Sequence, residues 1–301
     1  MQNFLGFYRD DRFWYWGLTS VTLFYMAVLF LTNEVRPEHF LVLTIMLGWN
    51  LWPRFNPYFR SIFPFFLFAM IYDGLRFVTP VMHKLIPINV AEPYYLEKAL
   101  FGYAGSNGEI LIPTQFFENV SHPIIDFVAA FAYFFFVYEA IFYAFYLLVK
   151  NRKLLEHFGA AFLSVSVLGF ATWYLYPAAP PWYVELYGLG PAIMDTPGNS
   201  ARLIRVDQYL DMPIFAEMYS RASNVFGAMP SMHACFPLIT FLYGRKMFKG
   251  LVFWGMVGFW ALVSFSAVYL NHHYVIDVLL GSFYGVLVYF IFEKFFPYEE
   301  T

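Results

Sequence analysis

Two apolar runs near the C-terminus, separated by three polar residues, decide the fold. They are residues 251–270, LVFWGMVGFWALVSFSAVYL, and residues 274–296, YVIDVLLGSFYGVLVYFIFEKFF, with Asn271-His272-His273 between them. A helix rises about 1.5 Å per residue, so about 20 apolar residues cross the hydrocarbon core of a bilayer. We therefore interpret each run as a membrane-spanning helix and the polar residues as the link between the two helices.

The same pattern recurs along the chain and predicts about eight spans in all. Four further runs qualify by length and two are shorter or more broken: 13–32, 59–80, 123–149 and 157–176, then 36–52 and 231–247. The composition agrees, since 60% of the 301 residues are hydrophobic and only 13% are charged, against about 25% charged in a soluble domain. We expect an all-α, polytopic transmembrane helix bundle that forms one integral membrane domain, residues 1–301.

The basic residues fall on one side of the predicted spans and so orient the chain, because short cytoplasmic loops are enriched in lysine and arginine. Those on this side are Arg9, Arg12, Arg54, Arg60, Lys150, Arg152, Lys153, Arg245, Lys246, Lys249 and Lys294. Both termini are then cytoplasmic, and two long segments, 81–122 and 177–229, lie on the opposite face. We expect Pro80, Pro87, Pro93 and Pro113 to break the first segment into short helices at the membrane interface.

One candidate site lies at the start of the last span. Ionisable residues within or beside spans are costly to place in a membrane and are therefore candidates for function. If the helix begins near Asn271, His273 and Asp277 lie on one face, four residues apart. An aspartate so placed accepts the Nδ1 proton of the imidazole and leaves Nε2 free as a nucleophile or base. The pattern is that of an activated histidine with His272 as its neighbour, although such a pair can also be purely structural.

A second candidate site is Pro230-Ser231-Met232-His233, which enters the span 231–247 from the same face. Proline and serine at a helix start, with exposed backbone N–H groups, form a binding place for a phosphate. His233, one turn into the helix, can donate a proton to a leaving oxygen. Ser231 can equally serve as the N-cap alone. Two histidine centres at one depth on the non-cytoplasmic face favour catalysis.

These motifs resemble those of the type 2 phosphatidic acid phosphatase superfamily, Pro-Ser-x-His and His-x-x-x-Asp. The flanking pattern His-His-Tyr-x-x-Asp at 272–277 and the run Ala-Pro-Pro-Trp at 179–182 are similar to the inositol phosphorylceramide synthase branch, which is related in chemistry to sphingomyelin synthases. The resemblance covers 177–296. It implies a six-helix phosphatase-type core. We expect the N-terminal spans and a first outer segment in 1–122 and the catalytic core helices in 123–301. It also implies that His273 attacks phosphorus, Asp277 orients His273, and His233 protonates the leaving group.

Two departures from the superfamily concern phosphate binding. Its first motif, Lys-x6-Arg-Pro, is absent, and Ala267 follows Ser266 where an arginine is usual. Another cation must then neutralise the phosphate. The arginines on or near the outer face are Arg76, Arg202, Arg205 and Arg221. Arg76 is the most interesting, because Asp73 lies three residues earlier on the same helix face, although this pair can also be structural. The candidate substrate-binding residues are Ser231, Arg76, Asp73, Arg205, Trp182 and Tyr269.

The implied chemistry is a two-step displacement on a lipid phosphodiester. A phosphohistidine at His273 would carry the head group of a donor such as phosphatidylinositol to an acceptor such as ceramide. A diester carries one negative charge where a monoester carries about two, so the missing arginines favour transfer over hydrolysis. Two alternatives stay open: a lipid phosphate phosphatase, acting on phosphatidic acid or a polyprenyl phosphate or diphosphate, and a non-enzymatic lipid transporter.

The expected partners are these lipids and the membrane. A net charge of -3 gives no sign of a nucleic-acid partner. Zinc usually needs three protein ligands, as in His-Glu-x-x-His, and the sequence has no such motif, so we expect no metal and no other cofactor. We expect a multi-pass protein of a bacterial inner membrane whose active site faces the periplasm, or the lumen if the source is eukaryotic.

Overall fold

The computed structural model describes residues 11–51 and 56–298, so Arg9 and Arg54 lie outside the described residues. The first elements in chain order are α1 (Asp11–Leu31), α2 (Pro37–Leu51), α3 (Asn56–Leu85), α4 (Ala91–Phe101), β1 (Tyr103–Ala104), β2 (Ile110–Leu111) and α5 (Pro113–Asn119). The later elements are α6 (Pro123–Lys150), α7 (Arg152–Leu175), α8 (Pro181–Tyr187), a 3₁₀ turn (Ala201–Leu203), α9 (Ile204–Leu210), α10 (Ile214–Ser220), α11 (Met232–Gly244), α12 (Gly250–Tyr269) and α13 (Val275–Phe295).

The helices coincide with the predicted spans. Five are long and apolar enough to cross a membrane: Pro57–Leu85, Pro123–Lys150, Arg152–Leu175, Gly250–Tyr269 and Val275–Phe295. The other three predicted spans contain shorter apolar helices, Thr19–Leu31, His39–Gly48 and Met232–Gly244. Helix α11 has only 13 residues, or about 20 Å at 1.5 Å per residue, because it begins directly after the Pro-Ser motif and ends at a basic turn. The predicted all-α polytopic bundle is confirmed.

Two of the prolines expected to break the first outer segment lie inside helices. Helix α3 continues through Pro80 to Leu85, and Pro93 lies within α4. A broken helix in or beside a membrane would expose unpaired backbone groups, so continuing through a proline is favoured there. Pro113 is the first residue of α5, a position where its missing N–H costs nothing. The expected short helices are present as α4 and α5, joined by the hairpin of β1 and β2.

Helix α11 lies at the centre of the bundle and packs against α6, α7, α12 and α13, while α3 packs along α7. Large side chains fill the space between these helices, and Phe158, Phe162 and Tyr243 are almost completely buried there. Helix α2 packs against α1 and α3 at the outside of this group. The five helices α3, α6, α7, α12 and α13 therefore form the core together with α11, and the outer segments close one end of it.

The first turns of α11 and α13 approach with no room for a side chain between them. The backbone N–H of Ser231 donates to the carbonyl of Asp277 at 2.9 Å. One turn further along α13, a Cβ at Gly281 would lie 2.1 Å from the carbonyl oxygen of Ser231. Since each motif found in the sequence lies at one of these two helix starts, this backbone contact fixes how the motifs face each other.

Gly281→Ala should therefore destabilise the protein and separate the two motifs. Forcing a methyl group into a packed contact costs about 1–3 kcal/mol, and more when the neighbour is backbone. Thermal unfolding of the purified protein in detergent measures the loss. Gly258→Ala on α12 is the matched control, because a Cβ there meets no atom within 4 Å. Equal unfolding temperatures for the two variants would contradict the close approach.

Candidate active site

His273 lies in the link between α12 and α13, outside both helices. Helix α13 begins at Val275, so the expected helix start near Asn271 is wrong. Asn271 has a left-handed backbone, with φ of 65°, which ends the helical path that precedes it. The carboxylate of Asp277 accepts the Tyr274 N–H at 2.8 Å and so caps the new helix after His273. A polar link held at both ends positions the histidine.

The ring of His273 is oriented chiefly by a main-chain carbonyl. Its Nδ1 lies 2.9 Å from the carbonyl oxygen of Ala228 and 3.6 Å from Oδ2 of Asp277. A carbonyl oxygen only accepts hydrogen bonds, so Nδ1 carries the proton and the lone pair is on Nε2. The expected partner Asp277 is therefore the more distant of two groups at Nδ1, because its carboxylate also caps Tyr274.

The structure brings the two histidine motifs together. Nδ1 of His233 lies 3.1 Å from Nε2 of His273, although 40 residues separate them in sequence. Tyr133 of α6 stacks on the His233 ring with centroids 4.0 Å apart and places its hydroxyl 3.2 Å from Nδ1. Phe136 packs against the same ring at 4.1 Å. Helix α6, which the motif analysis did not single out, therefore sets the position of His233.

His272 is a structural neighbour of this pair. Its ring lies between those of Tyr133 and Tyr219, with centroids 5.0 and 4.6 Å away. Its Nε2 lies 3.1 Å from the carbonyl oxygen of Ser200. Burial, together with a smaller effect of the nearby His273, lowers the pKa of His272 to about 3. A neutral imidazole that donates to Ser200 fits this environment and ties the link to the second outer segment.

Ser231 is the N-cap of α11 and is completely buried. Its hydroxyl has no hydrogen-bond partner among the described residues. The first N–H groups of a helix lack partners within it, so this serine and the start of α11 together present several donors beside His233. Among the residues that the structure describes, 11–51 and 56–298, no group of three or more His, Cys, Asp or Glu side chains is placed to hold a metal ion.

Three extended stretches, at Asn89, at 177–178 and at 226–228, pair with one another and hold the Ala228 carbonyl that orients His273. Ala178 N–H donates to Phe226 O at 2.8 Å and Ala228 N–H donates to Ala178 O at 3.3 Å. On its other side, the stretch 177–178 pairs with Asn89, whose N–H donates to the carbonyl oxygen of Pro177 at 2.8 Å. Ala228 is thus fixed through the backbone to both outer segments.

Glu97 is a residue of this site that sequence reasoning missed. It is completely buried on α4, and its two carboxylate oxygens accept the N–H groups of Val275 and Ile276 at 3.0 and 3.1 Å. Burial raises its pKa from 4.5 to about 7, against the opposing effect of these two N–H groups. No local pattern reveals this contact, because the partners lie 178 residues apart.

A cavity of about 440 Å³, within the usual range for small-molecule sites, opens beside the histidine link. Asn271, which precedes the histidines, and Ser200, which contacts His272, both line it. Its other lining residues are Glu118, Trp182, Glu185, Leu186, Gly198, Asn199, Ala201, Arg202, Ile204, Arg205 and Ala216. Trp182 and Arg205, two of the predicted substrate-binding residues, thus line this cavity together with carboxylates and amides.

Tyr269 and the outer arginines near the cavity are held by other protein groups. The Tyr269 hydroxyl donates to the buried Asp126 at 2.6 Å, and Arg205 pairs with the same carboxylate at 3.4 Å. Arg202 donates to the carbonyls of Thr114 and Tyr269 at 2.8 and 3.2 Å. Tyr269, predicted to bind substrate, is not among the residues that line the cavity, and Arg202 joins the outer segments to the end of α12.

The predicted pair Asp73 and Arg76 lies on α3 and takes part in a larger cluster. Oδ2 of Asp73 accepts Nη2 of Arg76 at 2.8 Å and the hydroxyl of Tyr25 at 2.5 Å. Nε2 of His39 lies 3.5 Å from the same oxygen. Asp73 thus joins α1, α2 and α3 and fixes one nitrogen of Arg76.

A membrane helix bundle with a histidine pair, a buried carboxylate and a helix N-terminus at one end defines an enzyme of the lipid phosphatase or phosphotransferase type. The model of the PAP2 superfamily, the type 2 phosphatidic acid phosphatases, matches residues 111–291. The chain belongs to this superfamily, as its two motifs indicated. No solved structure matches the chain.

The similar proteins with curated names are enzymes of one branch. A phosphoinositol dihydroceramide synthase of Bacteroides thetaiotaomicron is 37% identical over 239 residues, which are 77% of this chain and 76% of that protein. An inositol phosphorylceramide synthase of Candida albicans is 29% identical over 280 residues, 90% of this chain and 56% of that protein. The corresponding catalytic subunit of Saccharomyces cerevisiae is 36% identical over 132 residues, 43% of this chain and 31% of that protein. The chain thus spans only part of the fungal relatives' length.

Glu97→Gln should change how stability depends on pH. An unfolded glutamate loses its proton near its ordinary pKa of 4.5, whereas the folded protein keeps this proton until about pH 7. The folded state binds more protons between these values, so the contribution of Glu97 to stability is present below pH 4.5 and is lost as pH rises through 7. The unfolding temperature of the wild type should therefore fall relative to that of Glu97→Gln between pH 4.5 and pH 8.

Glu92→Gln on the same helix is the matched control, since Glu92 is exposed. Its unfolding temperature should follow that of the wild type across this pH range. If Glu97→Gln also keeps a constant difference from the wild type, the titration of Glu97 in the folded protein does not occur in this window.

Proposed function

We propose that this protein transfers a phosphoinositol head group from a glycerophospholipid to a ceramide-type lipid alcohol. The observation that carries the proposal is the contact of 3.1 Å between Nε2 of His273 and Nδ1 of His233, with the proton of His273 held on Nδ1 by Ala228. The activities named for the bacterial and fungal relatives support the choice of head group and acceptor. Residues 1–301 act as one membrane domain, in which 123–301 carries the chemistry and 1–122 contributes Glu97.

In the first step His273 attacks the phosphorus of the donor. Its Nε2 lone pair forms the N–P bond, the P–O bond to diacylglycerol breaks, and His233 gives a proton to the departing oxygen. The positive charge that develops on His273 is favoured by Asp277 at 3.6 Å from Nδ1. The product is a phosphoinositol group covalently bound to His273.

In the second step the acceptor hydroxyl replaces the histidine. His233, now without its proton, takes the hydroxyl proton as the oxygen attacks phosphorus and the N–P bond breaks. Water would give hydrolysis by the same route, so the outcome depends on how far water is excluded. His273 is only 5% exposed and Asp277 is not exposed at all, which favours a lipid hydroxyl that enters from the bilayer.

The histidine pair must open to admit the donor. A reactive phosphorus lies about 3–3.5 Å from its nucleophile before attack, and an acid lies a further 2.6–3.2 Å or so from the leaving oxygen. The 3.1 Å between the two nitrogens is therefore too short to enclose the phosphodiester. Rotation of the His233 side chain along the faces of Tyr133 and Phe136 would make this space without moving the helix.

Ser231 and the start of α11 are suited to the non-bridging phosphoryl oxygens, because the buried serine hydroxyl has no partner within the described residues and helix N-termini attract anions. The cavity beside Asn271 is suited to the inositol ring. The hydroxyl groups of a cyclic polyol can pair with the carboxylates, amides and arginines that line the cavity, Arg205 among them. The face of its carbon ring can pack on Trp182.

The active site is proposed to face away from the cytoplasm, the periplasm in a bacterium or the lumen in a eukaryote. The basic turn Arg245-Lys246 at the far end of α11 supports this orientation, since such residues favour the cytoplasmic side.

His273→Ala should abolish transfer, and His233→Ala should lower its rate by about 10²–10⁴-fold, the range of a general acid. The measurement incubates purified protein with labelled phosphatidylinositol, with and without ceramide, and separates the lipid products. His122→Asn is the control, since His122 is exposed and its role as N-cap of α6 is one that asparagine can take over.

Three results would contradict the proposal. Release of inositol phosphate without a ceramide product would show hydrolysis of the donor. Dephosphorylation of phosphatidic acid without any action on phosphatidylinositol would show a lipid phosphate phosphatase. Full transfer activity in His273→Ala would remove this residue from the reaction.

A further inference from the structure

Among the described residues, the outer arginines near the histidines and the cavity offer no free guanidinium to the phosphodiester. Arg202 and Arg205 are occupied by the carbonyl groups and the carboxylate described above, and Arg221 is exposed on the outer surface. A phosphoryl group undergoing transfer nevertheless needs positive charge or N–H donors directed at its oxygens. The remaining outer arginine is Arg76, which lies on the neighbouring helix α3.

Arg76 has hydrogen-bonding capacity that the described residues do not use. Its side chain is only 13% exposed. Nη2 donates to Asp73, whereas Nε and Nη1 are buried and have no partner among the described residues. A buried guanidinium that leaves donors unpaired is costly. The side chain is therefore held by one nitrogen, and the other two are available to a ligand.

The neighbours of Arg76 along α3 show which way it faces. Tyr72, one turn before it, stacks on Phe68, whose ring packs against Phe236 of α11 with centroids 5.5 Å apart. His83, about two turns after it on the same side, packs its ring against Phe226 with centroids 5.5 Å apart. Residues 72, 76 and 83 share one side of a helix with 3.6 residues per turn. Arg76 therefore lies between two contacts of α3 with the active-site segments.

We propose that Arg76, anchored by Asp73, binds the phosphodiester of the lipid donor and supplies the positive charge that the absent arginines of the superfamily provide elsewhere. This inference rests on the proposed function and names the donor-binding group of that site. Arg76 contacts the substrate, and Asp73 is a positioning residue whose other partners, Tyr25 and His39, hold the carboxylate in place.

The Asp73 carboxylate also gives the site a preference between substrates. Its negative charge offsets part of the charge of Arg76, so the pair suits a phosphodiester with one negative charge better than a monoester with about two. Removing the charge with Asp73→Asn should therefore strengthen the inhibition of transfer by phosphatidic acid, a monoester. A purely structural Asp73 would give no such selective change.

The test measures donor binding apart from turnover. In a His273→Ala background, calorimetric titration with short-chain phosphatidylinositol in detergent gives the dissociation constant. Arg76→Gln should raise this constant at least tenfold, or about 1.4 kcal/mol, the lower end of the value of a hydrogen bond to a charged group. Binding of short-chain ceramide should not change. In the otherwise wild-type enzyme, kcat/KM for the donor should fall by at least the same factor.

Two further variants keep the test decisive if Arg76→Gln alone fails to fold. Asp73→Asn with Arg76→Gln removes both charges together and should show the same loss of donor binding. Arg76→Lys keeps the charge and should retain more donor binding than Arg76→Gln or the double variant. Arg36→Gln is the matched control, because Arg36 is 43% exposed and pairs only with the exposed Glu34, at 3.8 Å, among the described side chains.

Unchanged donor binding in the folded double variant would overturn the role of Arg76. An equal loss of ceramide and donor binding would also overturn it, since that result indicates a general change of structure. Both outcomes leave the proposed function standing as long as the wild type forms the transfer product. If the wild type forms none, the proposed function itself has failed.

Discussion

The hydrogen bond from the Ser231 N–H to the Asp277 carbonyl is the contact on which the site depends. It joins the first turn of α11 to the first turn of α13 at 2.9 Å, and the absence of a Cβ at Gly281 permits it. Each helix carries one histidine motif at its start. A backbone contact between helix starts leaves little freedom in their relative position, so the imidazoles meet at 3.1 Å.

The outer segments orient the groups that the helices bring together. Ala228 fixes the tautomer of His273, Ser200 accepts from His272, and Glu97 binds the first N–H groups of α13. In a buried site every such group needs a partner, since unpaired donors and acceptors are costly there. The two long outer segments thus do more than link helices: they supply the polar main-chain and side-chain groups that an apolar bundle lacks.

The sequence predicts the fold class and the candidate site residues more fully than the groups that hold those residues in place. Apolar runs identify helices because a bilayer demands length and hydrophobicity, and His233, His273 and Asp277 stand out as ionisable groups at span ends. The link before α13 holds His273 outside the helix, contrary to a helix start near Asn271, because the Asp277 cap and the left-handed Asn271 are three-dimensional features. The role of Glu97 could not be predicted from the sequence for a similar reason, because its hydrogen-bond partners are distant in sequence.

A direct test of the account is to trap the covalent intermediate. Wild-type protein is mixed with phosphatidylinositol without acceptor, denatured at alkaline pH, at which phosphohistidine is stable, and digested for mass spectrometry. The account predicts a phosphoinositol group on His273 that disappears when ceramide is added before denaturation. Transfer without any adduct, or an adduct on His233 instead, would contradict it, because the lone pair of Nε2 on His273 is the nucleophile that this structure prepares.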